Sequence, residues 1–155
     1  MHIHRYEKIW LLVGGVIVVS FIVALFVNAF AMGMHPPSHM QTIDPKQVDA
    51  TPPFDKPGVH KVGDNEYEAV MTAFVFGFNP PQIEVPAGSK VTFISTSKDV
   101  VHGFEIPGTN VNMMVEPGHV NKVTQTFNKP GEYLILCNEY CGAGHHMMMG
   151  KVIVK

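Results

Sequence analysis

Residues 119–127 read HVNKVTQTF. Val123, Gln125 and Phe127 alternate there with Lys122, Thr124 and Thr126, the period of two that gives a strand one apolar face and one wet face. Outward from this run, short stretches rich in Val, Ile, Phe, Tyr and Thr recur at 67–76, 82–85, 90–96, 102–106, 111–115, 132–137 and 151–154. Turn formers separate them: Asn79-Pro80-Pro81, Pro86-Ala87-Gly88, Pro107-Gly108, Pro117-Gly118 and Pro130-Gly131. In such pairs proline presets φ and glycine accepts a positive one. Eight short strands over 62–155 predict an all-β domain, a β-sandwich with Greek-key connections. No internal repeat and no helical period follow residue 34.

Ahead of the sandwich, residues 35–61 contain Pro36, Pro37, Pro45, Pro52, Pro53 and Pro57 among scattered Asp, Thr and Gly. That composition breaks helices and favours extended chain, so it predicts a linker. Ahead of the linker, residues 9–34 carry no charge over 26 positions, IWLLVGGVIVVSFIVALFVNAFAMGM. About 20 apolar residues already cross a hydrocarbon core as a helix, so this segment predicts a transmembrane helix. A buried core helix would show a polar face. A cleaved leader, with Ala29-Phe30-Ala31 as a small-residue site, would have an apolar stretch of only about 7 to 15 residues.

Arg5 and Lys8 precede the span and no Lys or Arg follows until Lys46. Positive flanks stay cytoplasmic, so residues 1–8 are expected inside the cell membrane and the C-terminal domain outside it. Trp10, the sole tryptophan, falls at the inner end, where indoles anchor, and Asn28 at the outer interface. A chain of 155 residues with net charge −2 and scattered basic residues has room for one domain plus an anchor and lacks the clustered positive footprint of nucleic-acid binding. Six lysines against nine acids from Val62 onward are too balanced to define a charged docking face.

Chemistry concentrates at 137–148, CNEYCGAGHHMM, which holds both cysteines of the chain. Thiolate, imidazole and thioether together form a ligand set suited to copper, whereas hard ions take oxygen cages. A disulfide between Cys137 and Cys141 is the alternative, since outside the membrane the compartment is oxidising. Gly142 and Gly144 let the chain fold back after Cys141, Met148 follows His145 by three, and His102 stands at the start of a strand 35 residues before Cys137. His146, Met147 and Met149 offer the same chemistry nearby; the spacing favours His145 and Met148.

The pattern Cys-x-Glu/Gln-x-Cys-x3-His-x2-Met, preceded by a strand-borne His, resembles the CuA motif of subunit II of cytochrome c oxidase, and anchor, linker and domain match that subunit in outline. The resemblance implies a cupredoxin-like sandwich holding two copper ions. Cys137 and Cys141 would bridge both metals, His102 and His145 would cap one each, Met148 would be a weak axial ligand, and Glu139 would bind through its backbone carbonyl. A filled, thiolate-bridged pair suits electron relay with little reorganisation and leaves no open position for substrate.

One span and no tryptophan in the domain make the chain most similar to the ba-type, B-branch oxidases. There the run Phe74, Phe76, Phe78 replaces the tryptophan through which electrons enter, with Phe76 nearest the copper. The other two would be sandwich core. The opening Tyr6-Glu7-Lys8-Ile9-Trp10 is similar too, which makes Glu7 a candidate proton-uptake carboxylate; a solvated charge is the alternative. A magnesium ion on the Glu139 carboxylate is possible in the family but unsupported by these residues.

The resemblance thus implies an electron-transfer subunit of an oxidoreductase. It would take single electrons from a soluble cytochrome c or cupredoxin and pass them to haem in subunit I, where oxygen reduction drives proton pumping. A thioredoxin-type copper-delivery protein would need helices and a histidine after the cysteines. The CuA domain of nitrous oxide reductase would follow a large propeller, and a blue-copper protein needs one cysteine only.

Overall fold

The computed structural model describes residues 4–31 and 38–155. The chain divides into two compact units, Met1–His35 and Pro36–Lys155. The first is built on helix α1, Arg5–Phe26, continued by one π turn at Val27–Ala31. The helix begins four residues before the uncharged segment because its N-terminus is capped there: Tyr6 N–H donates to His4 Nδ1, and His4 N–H donates to Glu7 Oε2 at 3.3 Å. Asn28 satisfies its amide inside the helix, donating to the Ala24 carbonyl at 2.8 Å. Arg5–Ala31 is long and apolar enough to cross a membrane, and its side chains are exposed in this unit, as lipid-facing groups would be. Residues 32–34 of the expected span, 1–3 of the expected N-terminal segment and 35–37 of the expected linker lie outside the described residues.

The second unit is a sandwich of two sheets. Its strands are β1 (Ser38–Thr42), β2 (Gly58–Gly63), β3 (Glu66–Phe74), β4 (Gly77–Asn79), β5 (Gln82–Val85), β6 (Ser89–Ser97), β7 (His102–Glu105), β8 (Asn112–Val115), β9 (His119–Phe127), β10 (Gly131–Leu136) and β11 (Met149–Val154). One sheet runs β1-β9-β6-β3-β2, with β4 folded back on β3; the other runs β5-β11-β10-β7-β8. Pairing is antiparallel except for β3 with β6 and β5 with β11. This is the mostly-β sandwich that the strand alternation and the proline-glycine turns predict. Between the sheets Phe93, Phe104, Phe127, Phe78, Met71 and Ile135 form the main core, with the Phe78 and Phe104 rings edge-on at 5.4 Å.

One expectation is corrected. The described part of the 35–61 linker is integral to the sandwich. Ser38–Thr42 adds to the edge of β9, Pro45–Ala50 forms a 3-10 turn, and β2 already pairs with β3 from Gly58. The reason lies on the outer face of the first sheet, where Val70, Ile94 and Val120 are apolar. Val48 and Phe54 cover them as a second core, each almost wholly buried, with Ile43 at its edge. Burying two such side chains contributes about 1.5–3 kcal/mol each, enough to fix a proline-rich segment that has no periodicity of its own. The compact domain therefore starts well before residue 62.

Candidate metal centre

One strand end and two strand starts create the site. β10 and β11 are adjacent antiparallel partners whose last pair is Leu136 with Met149, so 137–148 is the loop closing their hairpin. Cys137 N–H donates to the Met148 carbonyl at 3.4 Å, which zips the loop shut at its base. At the far side Gly142, Gly144 and His145 accept successive backbone bonds in a 3-10 turn at His145–Met147. This turn aims His145 back at Cys141, and the following extended residue aims Met148 inward. β7 joins the same sheet beside β10, with Leu136 opposite Glu105, and its first residue is His102.

These elements bring all six sequence-identified donors together. The Cys137 and Cys141 sulfurs lie 3.8 Å apart, unbonded. His102 Nδ1 is 3.9 Å from Cys137 Sγ, and His145 Nδ1 is 3.6 Å from Cys141 Sγ. Met148 Sδ is 3.7 Å from Cys141 Sγ, and the Glu139 carbonyl oxygen is 3.2 Å from Cys137 Sγ. Among the described His, Cys, Asp and Glu residues, His102, Cys137 and Cys141 form a group whose ligand atoms all lie within 4.8 Å of one another, and all three are buried. His146, Met147 and Met149 face outward and are exposed.

The donor set fits soft, thiophilic metal. Burial, with the Cys137 thiol alongside, pushes the Cys141 thiol up to about 11. The Cys141 thiol therefore resists ionising on its own; a cation beside it reverses that balance and releases its proton.

Several positioning residues were not read from the sequence. Asp99 Oδ1 meets His102 Nε2 at 2.8 Å, leaving Nδ1 to face the sulfurs. Burial raises the Asp99 carboxyl, but the bond to His102 and the N–H donors of Val75 and Val100 outweigh it and hold the group below its ordinary value. The Ser97-Lys98-Asp99 turn three residues before His102 was the available signal.

Gly103 is the second. Its N–H donates to Cys137 Sγ at 3.4 Å, and a Cβ there would lie 2.5 Å from Asn138 N and 2.7 Å from Glu139 N. Only glycine lets β7 press against the loop backbone. Asn138 itself donates from Nδ2 to Asn112 Oδ1 at 3.1 Å, tying the loop to β8.

Of the phenylalanine run, only Phe78 is core; Phe74 and Phe76 are exposed. The Phe76 ring lies on Gly142 and Gly144, where a Cβ at Gly144 would collide with the ring, 2.6 Å from its Cγ and closer still to Cδ2. Its neighbour Val75 donates to Asp99 Oδ2 at 2.7 Å, so Phe76 is braced by the same carboxylate that orients His102. Glu7 belongs to the other unit, in α1, and its carboxylate is engaged in the helix cap.

A family model described as cytochrome c oxidase subunit II, periplasmic domain, matches residues 78–155. A cytochrome c oxidase subunit 2 of Thermus thermophilus is 42% identical over 154 residues, covering 97% of this chain and 92% of that protein. A chain from a cryo-EM structure of a heme-copper terminal oxidase dimer superposes with a TM-score of 0.76 at 34% identity, covering 97% of this chain and 100% of that one. The periplasmic domain of subunit II from Bradyrhizobium japonicum shares the fold, at 19% identity and a TM-score of 0.53 over 57% of this chain and 83% of that one.

Proposed function

The chain belongs to the cytochrome c oxidase subunit 2 family, as subunit II of a haem-copper oxidase with a cupredoxin-type copper domain, and from that premise we propose that its loop 137–148 is a two-copper electron relay. The observation that carries the reading is the convergence of six soft or neutral donors within a few ångströms. Cys137 and Cys141 would bridge, His102 and His145 cap, and Met148 and the Glu139 carbonyl complete the set. When bound, the copper pair would supply one-electron storage shared over two metals. The protein's part is to keep that site rigid and dry. Asp99 fixes the His102 ring, Gly103 N–H takes up charge on Cys137, and the hairpin base holds Cys137 and Met148 in register.

In this proposal electrons arrive one at a time from a soluble cytochrome c or cupredoxin by way of Phe76, whose exposed ring touches the ligand loop. They leave toward haem in subunit I, where oxygen is reduced and protons are pumped. The B-branch form of the oxidase agrees with one apolar helix and an aromatic without tryptophan at the loop. The helix would cross the cell membrane once, with Arg5 and Lys8 inside and the domain outside.

Glu7 would serve proton uptake on the inner side while also capping α1, and the two roles separate experimentally. Glu7→Gln keeps the cap, since glutamine also closes a capping box, but cannot carry a proton. Lower oxidase turnover in that variant supports the role; unchanged turnover refutes it.

The central test is reconstitution of the full chain in detergent with copper, read by absorption and EPR. A purple product with two coppers and a seven-line hyperfine pattern is expected. One copper per chain with a four-line pattern would refute the relay, as would a colourless product whose thiols are consumed.

A further inference from the structure

Resting on that copper reading, we propose that His146, Met147 and Met149 form a separate surface site that first captures Cu(I) and passes it inward to the buried donors. Four of the inward donors are closed off, His102 at 0% exposure, Met148 at 2%, Cys141 at 7% and Cys137 at 9%, while His145 is half-buried at the rim. A hydrated ion in solvent has no direct line to those atoms, so metal must arrive by ligand exchange from a more accessible donor. Two thioethers stand on the outside of the same loop, Met147 at 64% and Met149 at 52% exposure, and His146 beside them is exposed. The chain alternates inward and outward here: His145 and Met148 turn to Cys141, while His146, Met147 and Met149 turn to solvent.

Thioethers select Cu(I) over harder ions and have no proton to lose near neutral pH, and imidazole is a ligand that copper also accepts. Each outward donor is a chain neighbour of an inward one, so an ion can change partners without ever being free. Met149 also borders an open groove of about 780 Å³, shared with Phe74, Phe76, Lys98 and Asp99, which extends from the surface to the carboxylate that holds His102. Transfer is redox-neutral: copper stays Cu(I), bonds to Met147, Met149 or His146 break as bonds to Cys137 and Cys141 form, and each thiol releases its proton to solvent.

The test follows copper capture by the reduced, metal-free full chain in detergent, with Cu(I) supplied as a coloured bis-chelate whose bleaching reports transfer. Met147→Leu with Met149→Leu removes both sulfurs and keeps the apolar surface. The expected result is capture slowed about tenfold, the scale on which lost supporting groups weaken metal sites, with the same two coppers and the same final spectrum after oxidation by ferricyanide. A second pair of proteins isolates the surface site. Cys137→Ser with Cys141→Ser should still hold one Cu(I), and adding the two leucines should abolish it.

An unchanged capture rate would overturn the proposal, as would Cu(I) retained in the fourfold variant or no Cu(I) on the double-serine protein. A parent chain that never takes up two coppers would instead overturn the relay reading.

Discussion

Replacing Gly103 by alanine tests how closely β7 and the ligand loop depend on each other. The added Cβ would meet Asn138 Oδ1 first, then Asn138 N at 2.5 Å and Glu139 N at 2.7 Å. The Asn138 side chain can swing away, giving up its 3.1 Å bond to Asn112, but the two backbone nitrogens cannot. Ordinary contact begins near 3.4 Å, so strand and loop must part by roughly an ångström. Both are anchored: β7 by its pairing with β8 and β10, the loop by the hairpin base.

Such overpacking costs about 1–3 kcal/mol, which for a domain of this size lowers the melting temperature by roughly 4–12 °C. The same shift carries Cys137 away from His102 Nδ1 and from the Gly103 N–H that stabilises its sulfur. Alanine should therefore disturb copper as well as stability. Circular dichroism melts of the metal-free chain and EPR of the copper-loaded chain measure the two effects. A melt within about a degree of the parent, with an identical spectrum, would mean that β7 and the loop are not in the tight contact described.

Asp99→Asn removes the carboxylate behind His102 and should weaken copper binding about 10–100-fold; equal affinity in a chelator competition would count against the orienting role. Phe54→Ala should destabilise the domain by about 3–5 kcal/mol in urea unfolding, whereas a free linker would give almost no change. Phe76→Ala should slow electron uptake from a soluble donor in stopped-flow mixing while preserving the copper spectrum; equal rates would remove the ring from the path.

The strands were legible because the alternation of β9 and the proline-glycine turns are local signals, written into consecutive residues. The cap over the first sheet was not. Ile43, Val48 and Phe54 are isolated among prolines and acids, and their meaning depends on Val70, Ile94 and Val120, which come together only once the sheet exists. The candidate loop was legible because five side chains or carbonyls suited to a soft metal fall within twelve positions, and His102 because it stood out as a lone histidine at a strand start. Asp99 and Gly103 were hidden for the opposite reason. An acid in a turn and a glycine in a strand are commonplace in sequence, and only the folded neighbours, His102 and the Asn138 backbone, give them a task.

Five of the six proposed donors occupy a single hairpin connection whose two ends sit side by side at Leu136 and Met149. The centre is thus nearly a cassette. Its ends impose a simple boundary condition, two neighbouring antiparallel strands, which any sandwich of this class can meet. What the scaffold must add is small and local: one histidine on the adjacent strand, a carboxylate behind it, and a glycine where strand and loop touch. The loop's length and composition can then vary to retune the metal without refolding the host, and transplanting 137–148 together with those three positions should carry the centre into a foreign sandwich.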